Sequence, residues 1–201
     1  MSDFDIIRDG YNTNDYNTEY RNRVLHEQEV QLLDKFMKDI TDPKVVIDIG
    51  CGNGKLYDTY LVDNGADLTG IDLSERQVEE AQHNCPAGKF MVGNIVTDTL
   101  SVPDADGVVA FYSLFHIRIE DLPKVFTTIH SMLNDGGKLL FIVYTRKDGR
   151  KVDADWCNKP MVWYHAPAET YKSIAEFCGF DCAVIPCEYN EAYTWIYATR
   201  I

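Results

Sequence analysis

Residues 45–54 read Val45-Val46-Ile47-Asp48-Ile49-Gly50-Cys51-Gly52-Asn53-Gly54. An apolar run ends in an acid, and three glycines follow at alternate positions. Val45, Val46, Ile47 and Ile49 suit a strand buried on both faces. The glycines let the backbone turn sharply and come close to a ligand where a Cβ would clash. Lys55 to Asp63 can start a helix whose free N–H groups point back at the loop. A strand–glycine loop–helix unit of this kind is the usual nucleotide cradle of open α/β sheets.

The glycine spacing discriminates between ligands. A dinucleotide fingerprint, G-x-G-x-x-G/A, would put its third small residue at position 55, which is Lys55. Here the third glycine comes one residue earlier, and Asp48 stands two residues before the first. Downstream, Asp67-Leu68-Thr69-Gly70-Ile71-Asp72 reads as a second short strand ending in an acid. Asp72 falls 18 residues after Gly54, near the ~20-residue offset at which an acid meets ribose hydroxyls. A carboxylate there can accept from both hydroxyls of a vicinal diol. Ser74 can cap the next helix, Glu75 to His83.

With these features the chain resembles the Rossmann-like (class I) S-adenosylmethionine-dependent methyltransferases, of the small-molecule type. Asp48 to Gly54 matches their first motif. Phe90 to Ile95 resembles the third strand and the turn over the adenine. The family usually has Asp where this chain has Asn94, whose amide oxygen accepts a hydrogen bond without charge. Asp104 to His116 resembles the fourth strand and the loop after it, with the Ser113-Leu114-Phe115-His116 run common in this type. Leu133 to Val143 resembles the approach to strand five. The resemblance runs from about Val45 to Val143 and is fainter beyond, where Ala175 to Phe180 matches a helix-to-strand turn.

The resemblance implies a fold and a set of roles. The fold is a doubly wound, mostly parallel seven-stranded sheet with an antiparallel final strand and helices on both faces. S-adenosyl-L-methionine is the implied cofactor. Gly50, Gly52 and Gly54 approach its methionine moiety, with Cys51 a small filler in the loop, and Asp48 orients the loop and favours the cofactor's cationic end. Asp72 holds the ribose. Leu73 and Ile95 sandwich the adenine, with Asn94 at its edge. Tyr112 and Ser113 lie beneath the methyl donor. His116 and His165 are the candidate bases beside Tyr112, and a packing role stays open for each histidine. Tyr11, Tyr16, Tyr20 and Arg21 form a lid or a mobile surface segment. The sulfonium methyl is already electrophilic, so the protein needs mainly to align the acceptor and exclude water.

The 201 residues fit one methyltransferase domain, with residues 1–40 as an N-terminal lid and first helix and residues 145–166 as a substrate-side loop insertion. That loop holds Trp163, Tyr164 and His165, expected to wall the acceptor pocket with Ser113. A net charge of −13 disfavours nucleic acid, and the sequence lacks, after strand four, the Asn/Asp-Pro-Pro-aromatic run that marks methyltransferases acting on the amino groups of bases. A small-molecule acceptor is the better substrate class. No apolar run reaches the ~18 residues of a membrane span, and Met1 to Gly10 lacks the parts of a signal peptide. A cytoplasmic protein that engages no membrane is expected. The six cysteines form no C-x-x-C and no zinc pattern, so no metal is expected.

Apolar residues at helical spacing from Val24 to Ile40 predict a helix that Pro43 ends. Strands 44–49, 67–71, 88–92, 106–112 and 137–144 alternate with helices 55–63, 74–84 and 119–133. A helix over 168–178 and an antiparallel strand pair, about 180–187 and 192–200, follow. Two rival functions remain at this level. One is a non-catalytic S-adenosylmethionine-binding protein, a sensor or partner subunit. The other is an NAD-dependent oxidoreductase, whose fingerprint fails at Lys55.

Overall fold

The computed structural model describes residues 1–13, 23–146 and 148–201. Strand β1 (Val45–Ile49) sits third from one edge of a seven-stranded sheet of order β3-β2-β1-β4-β5-β9-β8. Val46 and Ile47 are 0% exposed on opposite faces, the burial that a continuous apolar run implies. β2 (Asp67–Asp72) and β4 (Ala105–Ala110) flank β1 in parallel. β3 (Lys89–Val92) closes one edge. β5 (Leu133–Tyr144) continues the other half, and β8 (Phe180–Pro186) and β9 (Tyr193–Arg200) are antiparallel additions, with β9 between β5 and β8.

Helices cover both faces. α1 (Asp3–Tyr11) and α2 (Glu27–Asp39) precede β1; α3 (Tyr57–Asp63) and α4 (Glu75–Asn84) follow β1 and β2. α5 (Leu122–Met132) leads into β5, and α6 (Ala168–Phe177) into β8. Leu33 and Phe36 of α2 pack with Val46, Leu61, Val109 and Trp195 on one face; Phe126, Ile129 and Tyr171 pack with Ile47, Val108 and Phe141 on the other. Phe36 lies so close over β4 that a Cβ on Gly107 would come 2.3 Å from its Cζ. The sheet, its antiparallel end and the flanking helices are those the sequence implies.

Two regions differ. Residues 145–166, expected as a loop, contain a hairpin of β6 (Gly149–Trp156) and β7 (Lys159–His165). Cys157 and Asn158 turn it, with φ of 49° and 63°, the left-handed pair whose twist suits a two-residue reversal. The apolar residues that mark it as structured, Met161 and Val162, are both 0% exposed. Packed against them is α1, within the residues 1–40 expected as a lid and first helix. Ser2 and Asp5 form a capping box at its start. Ile7 joins Met161, Val162 and Tyr164 in a small apolar cluster. Asp3 accepts from Arg150 Nε at 2.9 Å and Nη2 at 2.7 Å, and from the Tyr164 hydroxyl. Tyr16, Tyr20 and Arg21, named from sequence as lid residues, lie outside the described residues.

Phe36→Ala should cost about 3–5 kcal/mol of unfolding free energy, the range for emptying a fully buried aromatic site. Urea denaturation checks this; a loss below ~1 kcal/mol would mean that α2 does not pack on the sheet as described.

Candidate functional site

A cavity of about 600 Å³ opens at the carboxyl ends of β1 and β4. From β1 the chain builds the sheet toward β2 and β3, and from β4 toward β5, so the loops after these two strands part and leave a crevice. Gly50 and Ser113 meet at its floor. A Cβ on Gly50 would stand 2.3 Å from Ser113 Cβ, and Ser113 Oγ donates to Ile49 O at 2.6 Å. Gly50 and Gly52 take φ of 80° and 57°, which only glycine adopts freely.

The acid after β2 fixes the loop. Asp72 Oδ2 accepts from Gly52 N at 2.9 Å and Oδ1 from Ser74 N at 2.8 Å. Burial raises its pKa, and the N–H groups of Ser74, Gly52 and Leu73 oppose that rise. Ser74 caps α4 by accepting from Gln77 N at 3.2 Å. Asp48, Cys51, Leu73 and Ile95 line the cavity beside Asp72. Asn94 lines it too, but its Oδ1 accepts from Val96 N at 2.9 Å, so the atom assigned to an adenine edge already serves its own turn. Gly54 is not part of the wall. An added Cβ there would lie 3.0 Å from Ala81 Cα and Cβ, so the third glycine serves close packing on α4.

Tyr112 leaves β4 at φ 56°, a conformation that side-chain-bearing residues adopt rarely. Its hydroxyl enters a buried network. Arg23 Nη2 donates to Tyr57 OH at 2.7 Å, to Tyr112 OH at 3.1 Å and to Glu29 Oε1. Tyr189 OH donates to the same carboxylate oxygen at 2.7 Å, and His26 stacks on Tyr189 with centroids 4.0 Å apart. Burial works against the charge of Glu29, yet donation from Tyr57, His26 N, Tyr189 and Arg23 holds its carboxyl below the ordinary value. Arg23, His26, Tyr57 and Tyr189 all line the cavity and were missed from sequence. Their scatter over the segment before α2, the start of α3 and the β8–β9 turn leaves no linear spacing to detect.

His116 reaches the wall from the short helical turn after β4. Its Nδ1 lies 2.8 Å from Val162 O. A carbonyl only accepts, so Nδ1 carries the hydrogen, and Nε2 accepts from Tyr11 OH at 2.8 Å. Burial lowers the His116 pKa to about 4 against the help of the Val162 bond. The imidazole is therefore neutral at physiological pH, with its lone pair toward Tyr11.

The hairpin residues named from sequence as the acceptor wall stand elsewhere. Trp156, not Trp163, lines the cavity. Trp163 packs edge-on to Trp156 at 5.9 Å. Tyr164 gives its hydroxyl to Asp3. His165 is 8% exposed and lies against Tyr144 with centroids 4.4 Å apart. Tyr193, from the start of β9, faces Tyr112 at 5.2 Å and lines the cavity. The structure thus brings together Asp48, Gly50, Cys51, Gly52, Asp72, Leu73, Asn94, Ile95, Tyr112, Ser113, Tyr11 and His116 of the expected set. It leaves Gly54, Trp163, Tyr164 and His165 off the wall.

The His116 environment sets a pH dependence. Its pKa is depressed in the folded chain, so the stability it confers is full above about pH 6.5 and is lost as pH falls toward 4. Replacing it by Gln should remove up to about 3 kcal/mol of acid-side loss. Stabilities of wild type and His116→Gln between pH 4 and 7.5 should converge as pH falls; parallel profiles would mean that the His116 pKa does not change on folding.

The profile of a family described as methyltransferase domain matches residues 17–183. An uncharacterized protein of Haemophilus influenzae is 31% identical over 104 residues, 49% of this chain and 41% of that protein. Phosphoethanolamine N-methyltransferase of Triticum aestivum is 32% identical over 151 residues, 73% of this chain and 30% of that protein. The chain thus spans less than half the length of these two curated relatives. Magnesium protoporphyrin IX methyltransferase of Synechocystis, crystallised with S-adenosylmethionine, superimposes with a TM-score of 0.72 at 19% identity over 100% of this chain and 98% of that one. An S-adenosylmethionine-dependent methyltransferase structure from Listeria monocytogenes gives 0.72 at 20% identity over 86% and 96%. At these identities the two structures show a shared fold.

Proposed function

Since the chain belongs to the methyltransferase-domain family, we propose that it transfers a methyl group from S-adenosylmethionine to a small-molecule acceptor. The observation that carries this reading is the cavity itself: one end has the Asp72-anchored glycine loop with Leu73 and Ile95, and the other has an aromatic wall with a neutral histidine. The residues present fit the cofactor. Asp72 would hold the ribose, and Leu73 and Ile95 would flank the adenine. Gly50 and Gly52 would admit the amino-acid end beside Asp48, whose Oδ1 meets no donor among the described residues. When bound, S-adenosylmethionine supplies an electrophilic sulfonium methyl.

The chain's own residues do the rest. Tyr112, Phe115, Tyr193 and Trp156 offer flat walls that orient the acceptor and exclude water. The lone pair of His116 Nε2, reached through the Tyr11 hydroxyl, is the place for a proton that the acceptor gives up. The Arg23–Glu29–tyrosine network fixes the loops that carry Tyr112 and Tyr189. A non-catalytic binding role gains no specific observation here. We further propose that the protein works in the cytoplasm, engages neither nucleic acid nor membrane and functions as one domain. In support, the net charge is −13, and no helix of the described residues is long and apolar enough to cross a membrane.

A methyl-transfer screen over small acceptors tests the reading, followed by variants on the acceptor found. Asp72→Ala should weaken cofactor binding by about 1.5–3 kcal/mol, the range for hydrogen bonds to a charged group. Trp156→Ala should lower turnover at least ~10-fold, about 1.4 kcal/mol, with cofactor affinity kept within about 0.5 kcal/mol. Full turnover in Trp156→Ala would place the acceptor elsewhere. No transfer to any acceptor, with cofactor binding intact, would favour the non-catalytic role.

A further inference from the structure

Among the described acids, Asp48 and Asp58 are set apart by what they lack. Asp58, in the first turn of α3, is 1% exposed, and Asp48 is 2% exposed. No other described residue donates to Asp48 Oδ1 or to either oxygen of Asp58. By contrast, Asp72 takes two backbone N–H groups, and Glu29 takes Arg23 with tyrosines. What Asp48 and Asp58 face is each other. Two buried carboxyls side by side can hydrogen-bond only if one of them keeps its proton and donates it.

The groups facing the pair do not relieve it. Asp72 approaches from the end of β2, the Cys51 thiol from the glycine loop and the Cys85 thiol from the end of α4. None of these is a cation. Burial drives both carboxyls upward, Asp58 to about 7 and Asp48 well above its ordinary value, with Asp58 and Asp72 adding to the effect on Asp48. Asp48 nevertheless lines the cavity. A buried acid kept neutral by its own neighbours, yet open to a ligand site, is matched to a ligand that arrives with positive charge. S-adenosylmethionine has two positive centres, the sulfonium and the α-ammonium.

We propose that the Asp48–Asp58 pair is fully protonated in the free protein and expels one proton when S-adenosylmethionine binds, leaving an ionised Asp48 that faces the cofactor's cationic end. In this step one carboxyl O–H bond breaks and its proton passes to solvent. The proton that stays is on Asp58, which donates to the Asp48 carboxylate and fixes its direction. Asp58 is thus a positioning residue, acting on the cofactor through Asp48. The inference rests on the cofactor assignment made above.

Calorimetric titration of the full chain at pH 6.5, in two buffers of different ionisation enthalpy, reads the proton directly. At that pH the cofactor's α-amino group is already charged. S-adenosylmethionine should release about one proton per site. Methylthioadenosine, which lacks the amino-acid end and the sulfonium, should bind with no release. In Asp58→Asn the amide donates to Asp48 and the facing carboxyl is gone, so Asp48 holds its proton less tightly in the free protein. This variant should bind S-adenosylmethionine with clearly less proton release than wild type. Wild-type affinity should rise up to ~10-fold from pH 5.5 to 6.5, and the profile of the variant should be flatter.

Binding of S-adenosylmethionine without proton release would overturn the proposal, as would equal release with methylthioadenosine or from Asp58→Asn. If the variant does not fold, the comparison of the two ligands on wild type still decides. No binding of S-adenosylmethionine at all would instead remove the cofactor assignment, and the proposal with it.

Discussion

The contact between Gly50 and Ser113 is the constraint on which the site depends. β1 and β4 run parallel as neighbours, and their connections leave in opposite directions across the sheet. The two loops can part from a common floor only if the backbones almost touch there. Gly50 lacks the Cβ that would strike Ser113 Cβ at 2.3 Å, and Ser113 is tied to the end of β1 by its hydroxyl. From that floor the glycine loop rises on one side to Asp72. On the other, Tyr112 turns left-handed and carries its hydroxyl into the Arg23–Glu29 network. A side chain at position 50 would push the loops apart and disturb both walls.

The charges divide along the same line. On the Tyr112 side, Glu29 is fully buried and compensated by Arg23 and tyrosine hydroxyls. Such a paired carboxylate costs little to keep ionised, and breaking the pair would leave a bare buried charge, about 3–5 kcal/mol. On the glycine-loop side, Asp48, Asp58 and Asp72 gather with their burial and with one another as the main influences among the described residues. One side is complete in itself, and the other is suited to a positively charged guest. The aromatic wall between them, with His116 neutral at Tyr11, carries no net charge of its own.

What was legible in the sequence is what is local in the chain. The run from Val45 to Gly54 declares a buried strand and a turn because neighbouring residues make both. The distance to Asp72 is set by one helix and one strand, so spacing alone locates it. Ser74 as a cap rests on its immediate neighbours. Where a residue's role depends on a distant partner, spacing fails. Gly54 reads as a ligand-side glycine, but Ala81 of α4 explains it. Trp163 and Trp156 look alike in sequence, and only the placement of the folded hairpin against the rest of the chain decides which lines the cavity. The hairpin itself is hidden because its buried face meets α1 from the other end of the chain. The Arg23–Glu29 pair is joined by tyrosines from three separate parts of the chain, a cluster that no linear pattern announces.

The central claim is that the crevice between β1 and β4 is a site for S-adenosylmethionine rather than for a dinucleotide. Isothermal titration of the chain with S-adenosylmethionine and, separately, with NAD tests it most directly. The account predicts saturable one-to-one binding of S-adenosylmethionine at micromolar strength or better, about −8 kcal/mol, and at least ~100-fold weaker binding of NAD. Equal or tighter binding of NAD would contradict it.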